Sequence, residues 1–139
     1  MKKTILFAML LLFGSGCATV SLSKVAVANQ NKLEGLMEGM NKEEALKTMG
    51  SGQVRSGLYD FYAVVKNPYK TEVLKGSHKT IEVVYYFTNW SSGGVWEKRP
   101  ITDNELTPLI FEDGKLIAYD WNSLREITYK YELDKELVP

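Results

Sequence analysis

The chain of 139 residues holds one cysteine, Cys17, and one histidine, His78. A lone cysteine excludes an internal disulfide, and a single histidine with no second thiol leaves a zinc site short of ligands. No repeat of the solenoid or propeller kind runs through the sequence, and no tract is of low complexity. The long apolar run is residues 5–13, nine residues in all. As a helix it rises only about 14 Å, roughly half of a hydrocarbon core, which argues against a transmembrane anchor. Positive charge is not in surplus either: 17 basic side chains face 17 acidic ones. Removal of residues 1–16 takes away two lysines and no acids, leaving a formal charge of −2. Nothing is then left over to neutralise phosphates, so a nucleic-acid partner is disfavoured.

Catalytic constellations are missing as well. Ser51, Ser56, Ser77, Ser91, Ser92 and Ser123 lie in turn or cap contexts, and none sits in a nucleophile elbow. His78 falls in the polar turn Lys75-Gly76-Ser77-His78-Lys79, where a solvated loop histidine is expected; a hydrolase would need it buried beside a serine or carboxylate. Glu43/Glu44 and Glu112/Asp113 are adequately explained by helix-dipole and turn chemistry, without a glycosidase-like pair. Gly50-Ser51-Gly52 follows a helix instead of preceding one, so it is no phosphate loop. The expectation is a protein that is not an enzyme, with no cofactor and no metal.

What is present begins at the start of the chain. Met1-Lys2-Lys3, the apolar run and the small residues Gly14-Ser15-Gly16 are the parts of a secretory signal, and Cys17 follows directly. Leu12-Phe13-Gly14-Ser15-Gly16-Cys17 resembles the lipobox read by lipoprotein signal peptidase, with Gly14 where leucine is usual. The resemblance implies cleavage before Cys17, a diacylglyceryl thioether on its sulfur and acylation of the new N-terminus. Such acyl chains anchor a protein to a bilayer in effect permanently. Ala18 in place of aspartate implies, by the enteric sorting rule, the outer membrane with the domain facing the periplasm. Residues 1–16 are therefore read as a signal peptide, 17–30 as a lipidated tether that becomes helical toward Asn31, and 31–139 as one domain.

Within the domain, Asn41 is placed as an N-cap, with Glu44 three residues on as in a capping box. Ala45, Leu46 and Met49 form the apolar stripe, and Gly50 is placed for a left-handed stop. Leu33, Leu36 and Met37 suggest a preceding short helix that ends near Gly39. Residues 58–65 and 69–74 suit extended structure, and residues 80–88 are the clearest strand. Its Ile81, Val83, Tyr85 and Phe87 alternate with Glu82, Val84, Tyr86 and Thr88. Ser91-Ser92-Gly93-Gly94 reads as a flexible loop. Residues 106–111 and 115–121, joined through Glu112-Asp113-Gly114, read as a hairpin, with Pro108 suited to the start or edge of its strand. Residues 122–139 fit either a strand or a helix; a cap at Asn122 or Ser123 favours the helix. The fold class expected is α+β, two short helices packed on one face of an antiparallel sheet.

Residues 36–50, Leu-Met-Glu-Gly-Met-Asn-Lys-Glu-Glu-Ala-Leu-Lys-Thr-Met-Gly, resemble the signature of the SmpA/OmlA (BamE-like) outer-membrane lipoprotein domain family. Leu109-Ile110-Phe111-Glu112-Asp113-Gly114-Lys115-Leu116 is similar to the last hairpin of that family. The resemblance spans residues 32–121. It implies the helix-helix-sheet fold also seen in β-lactamase inhibitor protein domains. It also implies work through protein contacts, as an accessory in outer-membrane protein assembly or envelope maintenance. Ser51-Gly52-Gln53, where the family usually has proline, and a longer stretch from Tyr62 to Leu106 point to a separate branch and not to BamE itself.

Aromatic residues are the remaining unusual feature. Tyr59, Phe61, Tyr62, Tyr85, Tyr86, Phe87, Trp90, Trp96, Tyr119 and Trp121 exceed what one small core can centre. They either cover the outer face of the sheet or form a surface for an envelope protein, with Trp90, Trp96 and Tyr86 as its candidates. The competing reading is a lipid- or small-molecule-binding domain, which calls for a closed aromatic-lined cavity.

Overall fold

Residues 21–58, 61–90 and 101–134 are described by the computed structural model. The first element is a helix, α1 (Leu22–Leu33), capped by Ser21, whose hydroxyl accepts from the Lys24 amide at 3.3 Å. Leu22, Val25, Ala26 and Asn29 are buried along it, at offsets of three, four and seven residues. Residues 22–30 thus belong to the folded domain, which corrects the tether expected to reach residue 30. Small side chains hid the stripe, because only Leu22 and Val25 in it are bulky. The helix then ends at Leu33, before the helical spacing read into Leu33, Leu36 and Met37 is completed. Leu36 is buried beyond its end, and Met37 is 67% exposed.

Helix α2 (Lys42–Met49) lies where the sequence places it and buries Ala45 and Met49 completely. Asn41 occupies the N-cap position, but its side chain makes no capping bond. The expected capping box is replaced by backbone contacts: Asn41 bridges to Lys115, and the Lys42 amide donates to the Gly114 carbonyl at 2.8 Å. Gly50 closes the helix at φ 79°, a conformation that favours glycine.

Two strands follow, β1 (Gly52–Leu58) and β2 (Phe61–Asn67), paired antiparallel from Gly52↔Asn67 to Leu58↔Phe61. The single strand expected over 58–65 is therefore two, because the aromatic and β-branched residues after Leu58 mark extended chain without marking the reversal between Leu58 and Phe61. A second, four-stranded antiparallel sheet is built from β3 (Lys70–Lys75), β4 (Thr80–Phe87), β5 (Leu106–Glu112) and β6 (Lys115–Ala118), in that order.

Both faces of this sheet are covered. Ile81, Val83, Tyr85 and Phe87 join a core with Leu22, Val25 and Ala26 of α1 and with Leu74, Val65 and Leu124. Val84 and Tyr86 join the opposite core with Ala45 and Met49 of α2 and with Leu36, Leu109, Phe111 and Leu116. The expectation that helices shield one face is corrected accordingly. The cause is legible in β4, whose apolar residues occupy both parities, as in strands buried on both sides.

Asp113 (φ 49°) and Gly114 (φ 76°) turn β5 into β6 with two successive positive φ values, as a two-residue primed turn requires. Strand β6 pairs only with residues 110–112, so Pro108 lies on a part of β5 that β6 does not reach. The second hairpin strand ends at Ala118, short of the expected Trp121, which instead opens α3 (Trp121–Lys130). The cap of α3 is Asp120 and not Asn122 or Ser123. Its carboxylate accepts from the Ser123 amide at 2.8 Å and the Ser123 hydroxyl at 2.6 Å. Among the described residues the chain ends alongside β3, where the Asp134 amide donates to the Lys75 carbonyl at 3.0 Å.

Candidate functional site

Cys17, the lipidation residue expected from the sequence, lies outside the described residues. Among the described residues Ser21 caps α1, and Leu22, five residues after the cysteine, is already buried at 6% exposure. The outer side of α1 carries Ser23, Lys24, Val27, Ala28 and Asn31 along an open groove of about 310 Å³. Val27 is 58% exposed there. In the sequence the only sign of this strip is the Ser21 cap followed by the spacing Leu22, Val25, Ala26, Asn29 on the opposite, buried side of the helix.

Of the three residues proposed as a partner surface, Tyr86 is not on the surface. Its side chain is fully buried against α2, and its hydroxyl donates to the Gly50 carbonyl at 3.1 Å. Burial pushes its phenol up to about 12. Even-numbered positions of β4 face the second core, and the alternation of the strand alone carries Tyr86 inward. Trp90 is partly buried and meets Phe87 edge-on at 6.1 Å between ring centres. Trp96 and the loop Ser91-Ser92-Gly93-Gly94 lie outside the described residues, as do Tyr59 and Asp60. Among the described residues, therefore, Tyr86 forms no exposed patch with Trp90.

The odd-numbered face of β4 holds a polar cluster around Tyr85. Its hydroxyl donates to Glu72 at 2.8 Å, and Lys70 lies 3.1 Å from the same carboxylate and 3.7 Å from Asp103. The Lys70 ammonium also stands 4.4 Å from the centre of the Tyr85 ring, a cation–π contact. Burial first, and then the Glu72 carboxylate, push the Tyr85 phenol well above its ordinary value. Trp121 packs on this ring at 5.6 Å and donates its indole N–H to the Leu106 carbonyl at 2.7 Å. These contacts hold Tyr85, Glu72, Lys70 and Trp121 together on this face of the sheet.

His78 is exposed in the turn between β3 and β4, which removes the arrangement a hydrolase would need at that residue. Glu43 and Glu44 sit exposed in the first turn of α2, and Glu112 pairs with Lys79. Among the described residues no group of three or more histidine, cysteine, aspartate or glutamate side chains is placed to hold a metal ion. No helix among them is long and apolar enough to cross a membrane. A second open cleft, of about 530 Å³, runs beside the β5–β6 turn and is lined by Glu38, Gly39, Glu112, Asp113, Lys115, Leu116 and Ile117. It is ringed by charged side chains and differs from the closed apolar cavity that small-molecule binding called for.

No curated protein and no solved structure matches the chain. A family model described as a protein of unknown function, DUF3192, matches residues 17–126. The match opens on Cys17 and runs through both helices and both sheets into α3. The chain belongs to the DUF3192 family.

Proposed function

We propose that this protein is a non-enzymatic lipoprotein of the cell envelope, held in the outer membrane by acyl chains on Cys17 and acting in the periplasm through contacts with another protein. The observation that carries the reading is the coincidence of two boundaries at one residue. The signal-like segment of residues 1–16 ends immediately before Cys17, and the family match begins on it. A mature chain that starts at the cysteine accounts for both. The resemblance to the SmpA/OmlA family, through residues 36–50 and the β5–β6 hairpin, supports a place among accessories of outer-membrane protein assembly or envelope maintenance. The exposed position of His78 fits a binding module better than a hydrolase.

The test is the intact mass of the protein recovered from cell envelopes, for the natural chain and for Cys17→Ala. The natural chain is expected to lack residues 1–16 and to carry diacylglyceryl and amide-linked acyl mass on its N-terminal residue. Cys17→Ala is expected to carry none and to keep its leader. A mature N-terminus elsewhere, or a Cys17 with a free thiol, would sink the lipoprotein reading.

A further inference from the structure

The early start of α1 has a consequence for how the domain is held. From Cys17 to Leu22 the chain takes five steps, which span at most about 18 Å when fully extended. A domain of this length is roughly 35 Å across, about twice that reach. The start of α1 is therefore confined to the half of the domain nearest the anchor, and a free turn of the domain about its tether is excluded. A tether reaching residue 30 would have left the orientation open.

The geometry points to the outer strip of α1 — Ser23, Lys24, Val27 and Ala28 — as a membrane-facing surface that rests on phospholipid headgroups. This rests on the lipidation of Cys17 argued above. The strip's own chemistry suits that neighbour. Helix α1 holds two lysines, Lys24 and Lys32, and no acidic residue. Lys32 is engaged with the Met49 carbonyl at 2.8 Å, while Lys24 stands exposed one turn before Val27. Basic side chains beside a small apolar one can meet an anionic headgroup layer without a repelling carboxylate. The remaining strip residues are small, so the helix backbone can approach the layer closely.

The rest of the fold sets the opposite side. Helix α1 packs on the sheet face that carries Ile81, Val83, Tyr85 and Phe87, and α3 packs on that same face through Leu124. Helix α2 covers the other face through Ala45 and Met49. Its Lys47 is exposed. With the outer strip of α1 on the membrane, α2 is the element that faces the periplasm.

The experiment uses the full-length lipidated protein in vesicles of phosphatidylethanolamine and phosphatidylglycerol. Because Cys17 is blocked by its thioether, Val27→Cys on α1 and Lys47→Cys on α2 each offer one thiol for a fluorescent label. Quenching by a headgroup-nitroxide lipid is expected to be several-fold stronger at position 27 than at 47. Equal quenching, or stronger quenching at 47, in a preparation whose mass shows acylated Cys17 would overturn the membrane-facing assignment alone. A free thiol at Cys17 in that preparation would overturn the assignment together with the lipoprotein reading.

Discussion

Asn29 on α1 and Asn67 at the end of β2 hold each other through two reciprocal side-chain hydrogen bonds, of 3.1 and 3.2 Å. The second amide hydrogen of Asn29 goes to the Phe87 carbonyl at 2.7 Å. One buried residue, 2% exposed, thereby ties the first helix to both sheets. Buried polar groups left without partners cost far more than a formed bond contributes. Asn29→Leu strands the Phe87 carbonyl and the Asn67 amide, with an expected loss of about 2–3 kcal/mol. Asn29→Asp is expected to lose more, because a carboxylate has no hydrogen to donate to either partner. Urea unfolding of the two variants checks both; an unchanged midpoint for Asn29→Leu would show that the pair holds nothing.

Gly76, just beyond the end of β3, packs directly against the C-terminal segment. A Cβ there would stand 2.2 Å from the Tyr131 carbonyl oxygen and 2.9 Å from Leu133 Cδ2. Backbone cannot yield as a flexible side chain can, so Gly76→Ala is expected to cost about 1–3 kcal/mol by overpacking. The loss should be local. The Leu133 and Asp134 amides, now bonded to Thr128 and Lys75 at 3.0 Å, should exchange hydrogen faster while those of β4 and β5 stay protected.

Tyr86 makes the protein sensitive to alkali. In the unfolded chain its phenol titrates at 10.0, and in the folded protein burial holds it at about 12. Below the first value both states keep the proton, and the stabilisation is complete. Between the two only the unfolded chain releases it, so stability falls as pH rises, by on the order of 2 kcal/mol across the window. Tyr85 adds a shift of the same sign. Tyr86→Phe should lose about 1 kcal/mol at neutral pH with its bond to Gly50. Above pH 10 its stability should decline less steeply than that of the natural chain. Parallel alkaline slopes in thermal melts would contradict this assignment.

Asp120 gives the opposite dependence. Partial burial pushes its carboxyl up, but hydrogen bonds from the Ser123 hydroxyl, the Ser123 amide and the Asn122 amide outweigh this and hold it below 3.8. Its contribution is present above that value and is lost as pH falls through the lower folded one. Asp120→Ala is expected to cost about 1 kcal/mol as a lost cap. The difference from the natural chain should narrow in acid, which denaturant titrations at neutral and low pH would reveal.

Local chemistry made part of this molecule legible in advance. Helix α2, strand β4 and the Asp113-Gly114 turn follow from short-range rules, because the required residues lie next to one another in the chain. The same rules misplaced the cap of α3 and, at α2, put Asn41 in the cap position without revealing that its side chain makes no capping bond. The Asn41 backbone is taken up by Lys115, distant in sequence, while Asp120 reads as the end of a strand until the chain is seen to turn. The position of Tyr86 was available from the alternation of β4, but aromatic surplus suggested a surface and obscured it.

The start of the domain divides the two kinds of knowledge most clearly. Sequence alone marked Cys17, since a basic, apolar and small-residue series is a local pattern read along the chain. Whether residues 22–30 are tether or domain depends on what buries Leu22, Val25, Ala26 and Asn29. That burial comes from β2, β4 and the Asn67 amide, contacts made across long stretches of chain. Only the tertiary structure could therefore assign residues 22–30 to the folded domain.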